Sequence, residues 1–296
     1  MESNLQLPTK NYIPAIDSRF PRVDTKIPID ISTERKYWEH RYPTNHHSDY
    51  HKDTYVEFSL ESEPQTFIDF SSMVICVELK LLKSDGTELG AGDKPLFCDG
   101  LIHALFPSRK LFLNSQLVES NYLANYTDYI KYLSTHSDLD IMREGVTAGY
   151  FPKIENINDT KTKADIDRSD VVKQMIKFSH QNKIQLSAPL NLNIGDANFT
   201  FPDRINGRLH LEIASSSQLI LKPSDDVNNY KVNIFNISLY FKRIVPTSDI
   251  YLEFNKSLLS KNLEYHYERE ILYKASIASG QRQIYINNPF SNRIPN

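Results

Sequence analysis

The stretch from Phe97 to Ser134 constrains the fold more than any other. It reads F-C-D-G-L-I-H-A-L-F-P-S-R-K-L-F-L-N-S-Q-L-V-E-S, then N-Y-L-A-N-Y-T-D-Y-I-K-Y-L-S. The first part is dense in Leu, Phe and Val and is broken at Pro107-Ser108 and Asn114-Ser115. This predicts a buried strand from Arg109 to Leu113, a tight turn at Asn114-Ser115-Gln116 and a short return strand from Leu117 to Glu119. The period then changes. Tyr122, Tyr126, Tyr129, Ile130 and Leu133 recur at helical spacing, with Ser120 or Asn121 as the N-cap. The rest of the chain must accommodate a hairpin that delivers one amphipathic helix. Nothing in this stretch has a catalytic pattern.

The flanking sequence is rich in strands. In T-Y-V-E-F-S-L, Tyr55, Glu57 and Ser59 share one face and Val56, Phe58 and Leu60 the other. Thr66 to Lys83 contains a long strand buried on at least one face, and Ser84-Asp85-Gly86 closes it with a turn. After the helix, strands are expected at Met175–His180, Lys183–Ser187, around Leu209, Leu211 and Ile213, at Gln218–Leu221 and at Lys231–Val245. In the last, alternation runs Val232, Ile234, Asn236 against Asn233, Phe235, Ile237 and then drifts, which marks a bulge. Ser248 to Glu264 reads as a helix or linker. The sequence Y-E-R-E-I-L-Y-K-A-S-I-A-S-G-Q-R-Q-I-Y-I reads as a strand, a turn at Ser279-Gly280 and a strand that opens a further β unit.

Two segments break the strand pattern. Residues 1–50 read as an extended N-terminal arm that orders on a neighbouring subunit, with a disordered leader as the alternative, because Pro8, Pro14, Pro21 and Pro28 recur at near-even intervals and each blocks helix and central-strand pairing. Trp38, the only tryptophan, is the residue expected to pin that arm to the body. Residues 135–170 turn polar and read as a surface insertion with one helical turn near Asp138–Met142. Its carboxylates (Asp138, Asp140, Asp159, Asp165, Asp167, Asp170) lack the Gly and terminal Glu of a calcium loop. The cluster His40, His46, His47 and His51 matches no zinc spacing and has no nearby Cys, so it reads as a solvated loop.

Several function classes are disfavoured. With a net charge of -3 and a pI near 6.3 there is no global basic field for nucleic acid. Cys76 and Cys98 read as two buried thiols in a reducing compartment, with a disulfide as the alternative. M-E-S-N-L-Q-L-P carries no apolar signal core, and no apolar run reaches the ~18–20 residues of a membrane helix. The sequons at Asn125, Asn158, Asn198, Asn236 and Asn255 are therefore read as coincidence. A cupin-type metal site needs two His one residue apart on a strand, whereas His103, His180 and His210 stand alone. Nucleophile-elbow, phosphate-loop, zinc-protease and dinucleotide motifs are missing. No catalytic, cofactor-binding or metal-ligating residue is assigned, and no cofactor is expected.

About eight strands between Tyr55 and Val245, one inserted helix and one long insertion indicate an all-β chain. The expected architecture is a jelly-roll β-sandwich followed by the opening strands of a second β unit. The boundaries read as an arm over 1–50, a jelly roll over 51–247 with its insertion at 135–170, a linker over 248–264 and a truncated second unit over 265–296. A secreted binding module is one use of such a sandwich; a structural shell is another.

Three segments carry a resemblance. They are E-F-S-L-E-S-E-P-Q-T-F-I-D-F (57–70) leading into V-E-L-K-L-L-K-S-D-G (77–86); L-I-H-A-L-F-P-S-R-K-L-F-L-N-S-Q-L-V (101–118) with its Tyr-rich helix; and V-N-I-F-N-I-S-L-Y-F-K-R-I-V-P-T-S-D-I-Y-L (232–252) followed by Y-H-Y-E-R-E-I-L-Y-K-A-S-I-A-S-G (265–280). From about residue 37 onward the chain resembles the double jelly-roll major capsid proteins of Maverick/Polinton-type elements and related viruses, the lineage of adenovirus hexon. The resemblance implies a non-catalytic shell subunit in a virion or transposon-encoded particle, assembled inside the host cell. It implies self-association as a homotrimer of two jelly rolls per chain, contact with other capsid proteins, and neither sequence-specific nucleic-acid binding nor membrane insertion. The alternative is a single jelly-roll, penton-type minor capsid protein, in which the strands after 264 complete the first sandwich.

Overall fold

The computed structural model describes residues 32–45, 55–143, 145–151, 170–197, 199–260, 262–270, 272–277, 279–280 and 282–283. The proline-spaced part of the arm, His46, His47 and His51, most of the 135–170 insertion and the end of the expected second unit lie outside these residues. In chain order the elements are β1 (Thr33–Arg41), β2 (Tyr55–Leu60), β3 (Phe67–Lys83), β4 (Leu96–Phe97), α1 (Leu101–Ala104), β5 (Ser108–Leu113), β6 (Gln116–Asn121), α2 (Ala124–Thr135) and α3 (Asp138–Arg143). A 3₁₀ turn (Gly145–Ala148) and α4 (Asp170–Ser179) follow. Then come β7 (Ile184–Pro189), α5 (Asn193–Asp196), β8 (Thr200–Phe201), β9 (Gly207–Glu212), α6 (Ser216–Leu219), β10 (Ile220–Leu221), β11 (Tyr230–Pro246) and α7 (Ser248–Leu258).

Eight of the strands are long enough to build two facing sheets, ordered β1-β11-β3-β7 and β2-β9-β5-β6, with β8 added to β3. Numbered among themselves, the eight run first-eighth-third-sixth and second-seventh-fourth-fifth. Each strand of the first half is thus paired with its mirror in the second half: β1 with β11, β2 with β9, β3 with β7, β5 with β6. This is one long antiparallel ribbon rolled up, the winding of a jelly roll. Two further ladders, β11 on β3 and β9 on β5, close the roll.

The hairpin at the tip of the ribbon forms as its sequence predicts. Asn114 and Ser115 take φ of 45° and 69°, the left-handed pair that a two-residue turn matched to strand twist requires. Asn114 suits that conformation because its short polar side chain bonds locally. Its amide donates to the Asn206 carbonyl at 2.8 Å and its Oδ1 accepts from the Asn206 amide at 2.9 Å. The tip is thereby fastened to the loop before β9.

Inward-facing residues of both sheets make one core. Ile68, Phe70, Met73, Ile75, Val77, Leu79 and Leu81 of β3 face Val56, Phe58, Leu60, Leu111, Leu209 and Leu211, all nearly solvent-free. The expected drift in β11 is a bulge: its register on β3 shifts between Ile234 and Asn236. Phe235 is the extra residue and is 46% exposed, so inward positions pass from Val232 and Ile234 to Ile237, Leu239 and Phe241. A second irregularity lies in β3, where Phe70 and Met73 both point inward. Ser71 donates to Asp69 Oδ1 from its amide at 3.0 Å, and the Ser72 hydroxyl receives the Lys242 amide at 2.8 Å.

Four expectations are corrected. Thr33–Arg41, placed in the arm, is the first strand of the roll, and Trp38 remains 54% exposed instead of pinning anything by burial. Met175–His180 is the end of helix α4: Val172, Met175 and Ser179 are buried at helical spacing. Gln218–Leu221 is a helical turn followed by a two-residue strand. The described residues of 262–283 contain no strand, because none of their main-chain groups finds a ladder partner among the described residues; a turn does form at Ser279-Gly280. The 248–264 linker begins as helix α7, which sets Phe254 edge-on to Phe67 at 5.2 Å.

Two outcomes test this account. Leu111→Ala removes a fully buried side chain at the sheet interface and should cost roughly 2–5 kcal/mol in urea unfolding, with the half-buried Leu113→Ala costing well under half as much. Phe235→Ser should leave stability within about 0.5 kcal/mol, whereas deleting Ser238, between the inward Ile237 and Leu239, should prevent folding, because a one-residue slip there turns the inward set on one side of it outward.

Candidate functional site

No candidate site residue comes from the sequence, and among the described residues no group of three or more His, Cys, Asp and Glu is placed to hold a metal. No helix of the described chain is long and apolar enough to cross a membrane. Cys76 and Cys98 are free thiols, each only partly exposed, and burial pushes the Cys98 thiol up to about 12. His40 of the histidine cluster lies on β1, stacked on Tyr240 at 4.5 Å. What the structure does build is a helical platform beside the hairpin tip.

Helix α2 sits there because a buried ion cluster and an aromatic stack hold it. Arg109 on β5, 2% exposed, donates from Nη1 to Asp128 Oδ2 on α2 at 2.6 Å. Its Nε lies 3.8 Å from Glu119 on β6. Glu119 accepts the amides of Asn193 and Ile194 at 3.1 and 3.3 Å, which ties α5 to the same point. Burial raises the Glu119 pKa; those amides and Arg109 act against it. On the other side Tyr132 stacks on Tyr150 at 3.8 Å, and the Tyr150 hydroxyl shares a 2.8 Å hydrogen bond with His103 Nδ1. Desolvation lowers the His103 pKa, so the imidazole is held neutral. The Tyr129 hydroxyl donates to Asp99 at 3.1 Å; its burial and the Asp99 charge push it up to about 12.

The tyrosines expected on one helical stripe are divided between two faces. Tyr129, Tyr132 and Leu133 turn inward, while Tyr122, Tyr126 and Ile130 are exposed. Asn121, proposed as the cap, instead accepts the Leu123 amide at 3.0 Å, one step ahead of the helix. Along the outer face runs the segment read as a new β unit. Tyr265 stacks on Phe201 at 4.3 Å, and the Tyr267 hydroxyl donates to the Val118 carbonyl at 3.1 Å, as does Arg269. Lys274 Nζ lies 4.9 Å over the Tyr126 ring. A cleft of about 280 Å³ between Thr127, Ile130, Lys131 and Ser134 on one side and Glu270 and Leu272 on the other marks where the segment stands off the helix. Sequence reading missed the Arg109, Glu119 and Asp128 cluster, since its members lie on three elements and share no motif.

The titratable groups of this platform are thus engaged in holding elements together. Replacing Arg109 by Met should cost about 3–5 kcal/mol, because Asp128 and Glu119 are then left buried without their cation; chemical unfolding monitored by far-UV circular dichroism reads it.

No family model matches the chain, and no curated protein matches it. Among solved structures it is similar to the Faustovirus major capsid protein, at 14% identity and a TM-score of 0.51 over 85% of this chain and 60% of that one. Weaker overlaps are with the cryo-EM structure of the Sputnik virophage (12% identity, TM-score 0.47, 83% of this chain and 54% of that one) and with the mavirus major capsid protein (12%, 0.39, 83% and 52%). The chain therefore spans 60% of the length of the Faustovirus protein. At this identity the likeness is one of fold: the chain has the jelly-roll sandwich architecture that the Faustovirus major capsid protein shares with it.

Proposed function

We propose that this chain is a structural subunit of an icosahedral viral or transposon-encoded shell, comprising one jelly roll and the segment leading into a second. The observation that carries the reading is the complete eight-strand roll, with strand order β1-β11-β3-β7 over β2-β9-β5-β6, joined to the fold-level likeness to a major capsid protein. The interior fits it: Arg109 with Asp128 and Glu119, and His103 with Tyr150, bind elements of the roll to one another. Function in such a protein is the presentation of rigid faces to neighbours. Two rolls per chain and three chains per capsomer would give six similar sandwiches, so a homotrimer in contact with other capsid proteins is the expected unit, located in the particle.

The penton-type alternative needs residues after 264 to finish the first sandwich. The sheets close without them, since β11 already pairs with both β1 and β3, and this weighs against that reading.

The product of the complete reading frame tests the proposal. It should purify with a native mass three times that of its own polypeptide, or a whole multiple of that trimer, and be recovered in closed particles under the electron microscope. A product that stays monomeric at high concentration and yields no particles overturns it.

A further inference from the structure

Two facing sheets leave four outer strand edges, and three of them are covered. Beside β2, the Thr44 amide donates to the Glu57 carbonyl at 2.7 Å, and Asn45 bonds both the Tyr55 carbonyl at 2.6 Å and the Glu57 amide at 2.8 Å. Beside β6, Tyr267 and Arg269 take the Val118 carbonyl. The 3₁₀ turn and α1 lie against β7. Strand β1 differs. Among the described residues it pairs with β11 on one side, and no main-chain group of Thr33–Arg41 is bonded on the other.

The sequence of that edge is complementary to itself. It reads Thr33-Glu-Arg-Lys-Tyr37-Trp-Glu-His-Arg41. Laid antiparallel against a second copy with Tyr37 at the centre, it sets Glu34 opposite His40, Arg35 opposite Glu39 and Lys36 opposite Trp38, and by symmetry each pair occurs twice. Directly opposed residues of an antiparallel pair lie on the same face within interaction range. Glu34 with His40 sets an anion against an imidazole, and Lys36 with Trp38 a cation against an indole ring, which already accepts Lys242 at 4.9 Å; Arg35 comes beside Glu39, whose carboxylate already holds Arg243 and Arg41. Re-centring on Trp38 puts Arg35 against Arg41, so the arrangement disfavours that slipped register. Charged residues on an edge strand ordinarily prevent edge-to-edge pairing; this set repels other strands and accepts its own.

We propose that β1 pairs antiparallel with β1 of a second copy about a two-fold axis at Tyr37, joining two five-strand sheets into one of ten. The contact is isologous strand addition, in which main-chain bonds supply affinity and side chains fix register. It stands on an edge that is unpaired among the described residues and on the sequence of that edge, and does not rest on the shell reading.

Sedimentation equilibrium of the purified chain and two variants decides it. Glu34→Lys opposes a lysine to His40, and His40→Glu opposes a glutamate to Glu34; both positions are exposed. The unaltered chain should dimerise, and each variant alone should do so at least about tenfold more weakly. An equimolar mixture should recover, because the lysine introduced in one copy then meets the glutamate introduced in the other across the interface. Should His40→Glu disturb the stack on Tyr240, Lys36→Glu, exposed and opposite Trp38, should give the same weakening. A monomeric unaltered chain, variants that dimerise unchanged, or a mixture no stronger than its components would each overturn the proposal.

Discussion

The ladder between β3 and β11 is the contact on which the rest depends. These two seventeen-residue strands run antiparallel from Tyr230 opposite Lys83 to Ile244 opposite Phe67. They stand on different levels of the ribbon, β11 at its open end and β3 two levels nearer the tip, so their pairing, together with that of β5 and β9, converts a long hairpin into a closed sandwich. It is also a contact of large sequence separation, whose chain-closure entropy must be met before its hydrogen bonds form. The two bulges follow from it: strands this long cannot stay in phase with a twisted sheet and one shared core unless an extra residue resets the inward face.

Two buried arginines show how the sandwich handles charge. Arg243 is fully buried at an inward position of β11. It bonds Glu39 on β1, the Glu61 carbonyl at 2.6 Å and Thr66 Oγ1 at 3.3 Å, so it spans the first strand and the crossing between sheets. Arg109 does the same at the other site, joining two strands and a helix. Desolvating such groups consumes much of the Coulomb energy they return. Their value lies in direction: an apolar contact allows neighbouring arrangements, whereas a guanidinium fork accepts few.

The helical platform and the segment after 264 meet at the hairpin tip. The turn of this hairpin is pinned to Asn206, α2 is pinned to its base through Arg109, and Tyr267 and Arg269 reach the same β6 carbonyl. The segment thereby leaves the roll along a defined path beside α2.

Much of this was determined by local sequence. Alternation in Tyr55–Leu60, in Phe67–Lys83 and around Leu209 and Leu211 places those strands and their inward faces, since a half-buried strand must alternate. Asn114-Ser115 places the tip, because few residues accept its backbone, and the drift at Phe235 announces the bulge. Strand β1 was not legible: its residues are mostly exposed and charged, and only the facing edge of β11 makes them a strand. Helix α4 was hidden because a short apolar run fits either period until a surface is there to bury it. The described residues after 264 have strand composition and still form no strand, since a strand exists only with a ladder partner. The ion cluster of Arg109, Glu119 and Asp128 is likewise a property of the tertiary structure alone: side chains far apart in the chain become one group only where the roll brings their elements together.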